Sequence, residues 1–403
     1  MKYIVVLGDG MADEPIAGLN GKTPLQAASI PHIDQLAARG RNGLLDTIPP
    51  GMHPGSEIAN LSVMGYDVEK VFEGRGVLEA ASMGVELEPG DLALRCNLIC
   101  LEDNKIKNHS AGHISTEEAA EIIEFLNKKL GNDTIRFYPG VSYRHLLVIR
   151  GGRKEIQCTP PHDVTGTPFR EVMVTSLSEE AAATAKLINY MIIRSQWLLM
   201  DHPVNIRRRE AGKDPATCIW PWSPGYKPQM PTFRELWGIE KSAVISAVDL
   251  IQGIGRLAGM DVIKVEGATG LHDTNYEGKA EATLRALDDH DFVYLHIEAS
   301  DEAGHEGDAA LKVKTIEYLD YRVVKTLMEK VKDIAEPVAI AVLPDHPTPC
   351  AIKTHTREPV PFLIHKPGVQ PDAVTAYDEF SAAGGYYGTL KGAEFMRLFL
   401  RDQ

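Results

Sequence analysis

The chain is short of three things, and each shortage removes a class of protein. Cysteine is scarce: five among 403 residues, an odd number, with Cys96 and Cys100 spaced only as CxxxC. That spacing supports neither a disulfide framework nor a zinc knuckle, and a reducing, cytoplasmic setting is expected. Positive charge is in deficit, with 42 Lys and Arg against 56 Asp and Glu and a net charge of −14. A nucleic-acid surface, which needs a basic stripe, is therefore excluded. Long apolar runs are missing too, since nothing reaches the ~18–20 uninterrupted residues of a membrane span. The nearest stretch, Leu187 to Met200, is broken by Asn189, Arg194 and Gln196 and reads as a helix with one buried face. Only one lysine and a short apolar run precede Asp9, which argues against a signal peptide. No membrane partner is expected, and neither an internal repeat nor a low-complexity tract is present.

What is there is ordinary in bulk, with 44% apolar and 24% charged residues, and specific in pattern. A chain this long exceeds one ordinary core, so two domains, or one domain with a large insertion, are expected. Strand-like and helix-like segments alternate over residues 1–75 and again over 235–403, the signature of βαβ units on a mostly parallel sheet. Residues 76–234 differ: they mix strands (Leu92 to Leu98, His145 to Ile149) and helices (Thr116 to Leu130, Glu179 to Met200) with long connections. Two of these connections, QCTPPHDVTGTP and CIWPWSPGYKPQMP, are rich in proline. The reading is an α/β domain built from both chain ends, flanked by helices, with an α+β cap inserted between them.

The chemistry gathers at strand ends. Val338 to Leu343 is an unbroken apolar run ending in Asp345-His346, with His355 nine residues further on. Phe292 to Ile297 ends in EASDEAGHEGD, and Asp301-x3-His305 places two ligands on one face of a helical turn. Tyr3 to Leu7 ends on Asp9. Singly, such residues are ordinary turn or hydrogen-bonded groups. Together, three buried strands delivering them to one edge predict a metal centre where open α/β sheets bind ligands. Carboxylate and imidazole without thiolate suit Mn²⁺, Zn²⁺ or Mg²⁺. Ser56 precedes an apolar-periodic helix, where it reads as an N-cap and, compatibly with that, as a hydroxyl nucleophile at the positive end of a helix dipole. Gly21-Lys22-Thr23 lacks the upstream glycine of a phosphate loop, where Ile16 stands, and Gly253-x-Gly255 lies inside a predicted helix. Neither is a nucleotide site.

In order and spacing, Asp9, Ser56, Asp301, His305, Asp345, His346 and His355 resemble the metal set of the alkaline phosphatase superfamily. The stretches VVLGDGMAD, PGSEIANLSVMGYD, GVSYRHLLV, HPVNIRRREAGKDPA, VEGATGLHDTNYEGKAE, HIEASDEAGHEGD and LPDHPTPCAIKTHT are similar to the archaeal-type 2,3-bisphosphoglycerate-independent phosphoglycerate mutases and span residues 1 to 365. The resemblance implies a glycolytic enzyme that interconverts 3- and 2-phosphoglycerate through a phosphoserine at Ser56. It needs two divalent ions but neither 2,3-bisphosphoglycerate nor a nucleotide. Asp301, His305 and His355 would hold one ion; Asp9, Ser56, Asp345 and His346 would hold the other. The small phosphorylated hydroxy acid would be gripped by Arg144, Arg207 and Arg208 from the cap, by His113 and by Lys279. Two alternatives stand beside this: a related phosphotransferase acting on a small alcohol such as homoserine, and a non-catalytic binding protein on the same fold. The oligomeric state is open.

Overall fold

The apolar runs that read as buried strands form the middle of an eight-stranded sheet. Its spatial order is Asp261–Ile263, Ser242–Ile245, Phe292–Ile297, Lys2–Gly8, Val338–Leu343, Val360–His365, Arg41–Asp46 and Thr389–Lys391 in the computed structural model, which describes residues 1–401. Only Val360–His365 runs against the others. Phe292–Ile297 and Val338–Leu343 are buried along their whole length. Helices cover both faces of such a sheet, which is why these strands are continuously apolar rather than alternating. Register then aligns the strand ends. Leu7 lies opposite both His296 and Leu343, so Asp9, Glu298 and Asp345 emerge side by side at one edge.

This sheet belongs to a unit made of Met1–Phe72 and the chain from Met230 onward. The stretch from Ala309 to Lys330 is helical throughout but carries a π segment, Leu319–Val324, between Ala309–Tyr318 and Lys325–Lys330. That segment holds Asp320, which is buried and accepts hydrogen bonds from the backbone N–H groups of His32 (3.0 Å) and Ile33 (2.7 Å). It caps helix Pro31–Arg39 from a distant part of the chain, because the residue at that helix's own cap position, Ile30, has no acceptor to offer.

Residues Glu73–Gln229 form the second unit. Its central strand, Asp91–Glu102, pairs antiparallel with Arg144–Arg150 on one side and with Lys105–Asn108 and Cys218–Gly225 on the other. Helices Thr116–Leu130 and Ala182–Leu199 close the core with Ile122, Ile123, Leu126, Ile188 and Ile192. The first of these starts on a capping box between Ser115 and Glu118. The division between units falls a few residues before the joins expected at 75/76 and 234/235. Helix Arg75–Ser82 packs so closely on the central strand that a Cβ on Gly76 would lie 2.5 Å from the Ala93 carbonyl oxygen. One expectation is corrected. CIWPWSPG is a strand, not a connection, and its prolines are tolerated because it pairs with one neighbour only and leaves its other edge free of a ladder. No helix among the described residues is long and apolar enough to cross a membrane.

His145 gives this second unit a pH-dependent stability. Its ring is buried in the sheet, Nδ1 accepts from the Gly140 N–H at 3.0 Å, and Nε2 has no partner. Burial, with Arg144 and Arg95 nearby, pushes its pKa down to about 3 from 6.5. The unfolded chain therefore binds the extra proton between those values, and stability falls as pH drops through that window. Between pH 6.5 and 5 the group withdraws about 2 kcal/mol at ~1.4 kcal/mol per unit. Urea midpoints of wild type and His145→Gln should converge as pH is lowered over this range; parallel curves would show that the ring takes up its proton as readily folded as unfolded.

Candidate metal centre and cation cluster

Three adjacent strands and one helix start build the first cluster. Asp9 follows Lys2–Gly8, and Gly10 makes the turn with φ +61°, where a Cβ would strike Asp301 Oδ1 and Thr348 Oγ1 at 2.6 Å. The Gly10 N–H donates to Asp345 Oδ1 at 3.2 Å. His346 Nε2 lies 3.6 Å from Asp9 Oδ1, 3.4 Å from Asp345 Oδ2 and 3.1 Å from Ser56 Oγ. Alongside, His305 Nε2 is 3.1 Å from Asp301 Oδ2 and 3.0 Å from His355 Nε2, which is 3.5 Å from Asp301 Oδ1. Asp301 Oδ1 also accepts from the Thr348 hydroxyl. The sequence expected Asp9, Ser56, Asp301, His305, Asp345, His346 and His355 to gather, and the fold brings all seven together.

Ser56 is the first residue of helix Ser56–Val63, and Gly55 occupies the cap position. The hydroxyl is therefore not consumed in capping, as a serine one position earlier would have it.

The electrostatics call for cations. Asp9, Asp301, Asp345 and Glu298 stand close together in buried surroundings, and burial followed by repulsion from Asp345, Glu298 and Asp301 pushes the Asp9 carboxyl well above its usual range. Asp9 Oδ1 is buried with no hydrogen-bond partner. Burial works against ionisation of Asp301 as well, but hydrogen bonds from His305 and His355 hold it well below the ordinary carboxylate range. His305 Nδ1 meets the Lys353 carbonyl at 3.0 Å, an arrangement that points the Nε2 lone pair inward, as in histidines that bind metals. Four ligand triplets result, Asp301/His346/His355 and Asp9/Asp345/His346, which share His346, and Asp9/His296/Glu298 and Glu298/Asp301/Glu302, which share Glu298. The donor set of oxygen and imidazole fits divalent ions.

Sequence reasoning missed the residues behind these ligands. Asn60 donates through Nδ2 to Asp345 Oδ2 (2.8 Å) and to the Ser56 carbonyl (2.9 Å), while its Oδ1 accepts from Tyr294 Oη (2.7 Å). His296 bridges Asp9 Oδ2 (2.9 Å) and Ser246 Oγ (3.1 Å). Glu298, raised to about 8 by burial and then by Asp301, lies 3.6 Å from His296. Lys279 belongs to this corner. It is fully buried, its Nζ reaches the His296 carbonyl at 3.3 Å, and burial lowers its pKa to about 8 against the pull of Glu298.

The second unit holds a cluster of its own. The Trp222 ring has the Arg95 guanidinium 5.1 Å and that of Arg75 5.7 Å from its centre, and His162 edge-on at 5.4 Å. His162 meets His109, His109 meets Tyr143, and Arg144 lies over Tyr143 at 5.9 Å. Arg95 pairs with Glu79 at 3.3 Å, but its Nε is buried without a partner. Burial lowers His109, and His113 and Arg95 lower it further. Three guanidinium groups, aromatic faces and imidazoles around an unsatisfied donor make an anion-binding arrangement.

Of the arginines named from sequence, only Arg144 belongs here. Arg207 spends its guanidinium on Glu121 at 3.1 Å on an exposed face. Arg208 is buried and fully engaged, with Glu118 at 2.6 Å and the carbonyls of Asp214, Ala111 and Gly112. Its role is to pin the loop in which Ala111, Gly112 and His113 all have positive φ, which fixes where His113 stands. Arg95 did leave a signal in the sequence: the one charge in LALRCNLIC, a run apolar apart from it and Asn97.

Known proteins resemble the chain over its full length. A family model described as 2,3-bisphosphoglycerate-independent phosphoglycerate mutase matches residues 37–205. A mutase of that name from Methanosarcina barkeri is 49% identical over 404 residues, covering 100% of both chains. A probable one from Geobacter sulfurreducens is 50% identical, over 99% of this chain and 100% of its own length. Among solved structures, a protein from Pyrococcus horikoshii superposes with a TM-score of 0.83 at 32% identity, covering 99% of this chain and 96% of that one. The cofactor-independent phosphoglycerate mutase of Thermoplasma acidophilum gives a TM-score of 0.70 at 30% identity, covering 100% and 99%. With identities this high over its full length, the chain belongs to the family of 2,3-bisphosphoglycerate-independent phosphoglycerate mutases.

Proposed function

We propose that the chain interconverts 3-phosphoglycerate and 2-phosphoglycerate in the cytoplasm, by way of a phosphoserine at Ser56. The observation that carries this is the Ser56 hydroxyl: released from capping, at the positive end of a helix and 3.1 Å from His346 among buried carboxylates. Two divalent ions, Mn²⁺, Zn²⁺ or Mg²⁺, held by Asp301, His305 and His355 and by Asp9, Asp345, His346 and Ser56, would supply Lewis-acid stabilisation of the phosphoryl charge and of a serine alkoxide.

The chain's own residues do the rest. Ser56 Oγ attacks the phosphorus of 3-phosphoglycerate, the Oγ–P bond forms, the bond from phosphorus to the 3-oxygen breaks, and the proton lost by Ser56 ends on that oxygen. Glycerate reorients. Its 2-hydroxyl then attacks the phosphoserine, and Ser56 recovers the proton. Asn60 holds the Ser56 carbonyl and the Asp345 carboxylate in one fixed relation, so the nucleophile and its activating groups stay in register through both transfers. Lys279, in its buried corner, offsets the negative charge of Glu298. Arg75, Arg95 and Arg144 are the cations of the second unit suited to the substrate carboxylate, with the imidazoles of His109 and His113 as further hydrogen-bonding groups. Keeping water from the phosphoserine is what separates a mutase from a phosphatase.

The test sets two assays side by side. The metal-loaded protein should form 2-phosphoglycerate from 3-phosphoglycerate with no added 2,3-bisphosphoglycerate and should release little free phosphate. Phosphorylation of homoserine by a nucleoside triphosphate, without mutase turnover, would replace this reading with the phosphotransferase one.

A further inference from the structure

The ligand-bearing residues lie at one edge of the large sheet, and a cavity of about 520 Å³ lies at the opposite edge. It opens between helix Pro31–Arg39, segment Lys325–Lys330 and the first residues of strand Val338–Leu343. Its floor is apolar, formed by Leu36, Met328, Val338 and Ile340. Its rim carries Arg39, Lys325 and Lys332, and none of these three side chains has a hydrogen-bond or ion-pair partner among the described residues. Two carboxylates share the rim: Glu329, and Glu336, which is 3.9 Å from Lys2.

The volume is in the ~300–1,000 Å³ range of small-ligand pockets, which combine an apolar lining with a few charged groups. In a chain of net charge −14, three unpaired cations around one apolar hollow favour an anion by plain Coulomb attraction. A bare phosphate would leave the floor wet, and phosphoglycerate has no apolar body to cover it. A neutral hydrocarbon would leave the cations unused. We propose that this cavity is a second ligand site, taking a small amphipathic monoanion: a carboxylate head at Arg39, Lys325 and Lys332, and a medium-length apolar tail over Leu36, Met328, Val338 and Ile340.

The test is calorimetric titration of the full-length, metal-loaded protein with decanoate, 1-decanol and decyltrimethylammonium. Decanoate should bind saturably at one site, at least tenfold more tightly than either analogue, and saturating 3-phosphoglycerate should not displace it. Met328→Trp, which fills the hollow from its floor, should remove the binding. Arg39→Glu and Lys332→Glu should each weaken it about tenfold while mutase turnover stays at the wild-type level. Both charge reversals lie on the exposed rim, so either one serves if the other folds poorly. Equal affinity for the three head groups, no saturable binding at millimolar decanoate, displacement by 3-phosphoglycerate, or full affinity in both charge-reversed variants would each overturn the proposal.

Discussion

Replacing Ser56 by alanine is expected to lower turnover of 3-phosphoglycerate by at least ~10⁴-fold, the scale on which loss of a covalent nucleophile acts. The fold should survive, because the hydroxyl caps nothing and the helix keeps Gly55 in the cap position. Metal content should stay near that of wild type, since Asp9, Asp345 and His346 remain as ligands beside it. Acid-quenched wild-type protein should carry substrate phosphate on the serine, and the variant should carry none. Appreciable mutase activity in Ser56→Ala, with a phosphorylated residue elsewhere or none at all, would remove the phosphoserine route.

Exhaustive chelation is the second large effect. Stripping the ions should abolish activity and lower thermal stability together, and Mn²⁺ should restore both. The stability loss follows from burial. Asp9, Asp345, Asp301 and Glu298 are left in mutual repulsion with no bound cation, and Asp9 Oδ1 has no alternative partner. At ion concentrations a hundredfold above the dissociation constant, one site contributes about 2.7 kcal/mol. Activity that persisted after verified metal removal would sink the mechanism. An unchanged midpoint would mean that the carboxylates are protonated when empty, which is the direction in which burial already pushes Asp9.

How much of this was legible beforehand depended on whether a residue's partners could be named locally. The strands could be, because full burial on a parallel sheet writes itself as unbroken apolar runs, and the groups that follow each run must appear at a common edge. Asp9, Asp301 and Asp345-His346 were found that way. His296 and Glu298 were overlooked although they flank the end of the same strand, FVYLHIE: an imidazole inside an apolar strand is itself unusual, and it carried the signal. Asn60 left none, since an amide in a helix gains meaning only when Tyr294 and Asp345 arrive from more than two hundred residues away. The arginines show the limit most clearly. Arg207 and Arg208 sit in a conspicuous basic run, yet Glu121 and Glu118, distant in sequence, claim them, while solitary Arg75 and Arg95 converge on one tryptophan. Neighbouring like charges advertise a site; only the fold decides which of them are already spent.

The place of Lys2–Gly8, hydrogen-bonded between Phe292–Ile297 and Val338–Leu343, carries a consequence for biosynthesis. The strand is made first and meets its first partner only when Phe292–Ile297 is synthesised. Between the emergence of Gly8 and that of Ile297 from the ribosome lie about 290 residues, roughly 15–60 s of synthesis at ~5–20 residues per second. Glu73–Gln229, whose strands pair only among themselves, can fold within that interval. The apolar segment KYIVVLG waits, with both of its edges open. A nascent chain halted before residue 292 should therefore present a protected second unit and an aggregation-prone N-terminus, and the cell's holding chaperones would find their target there.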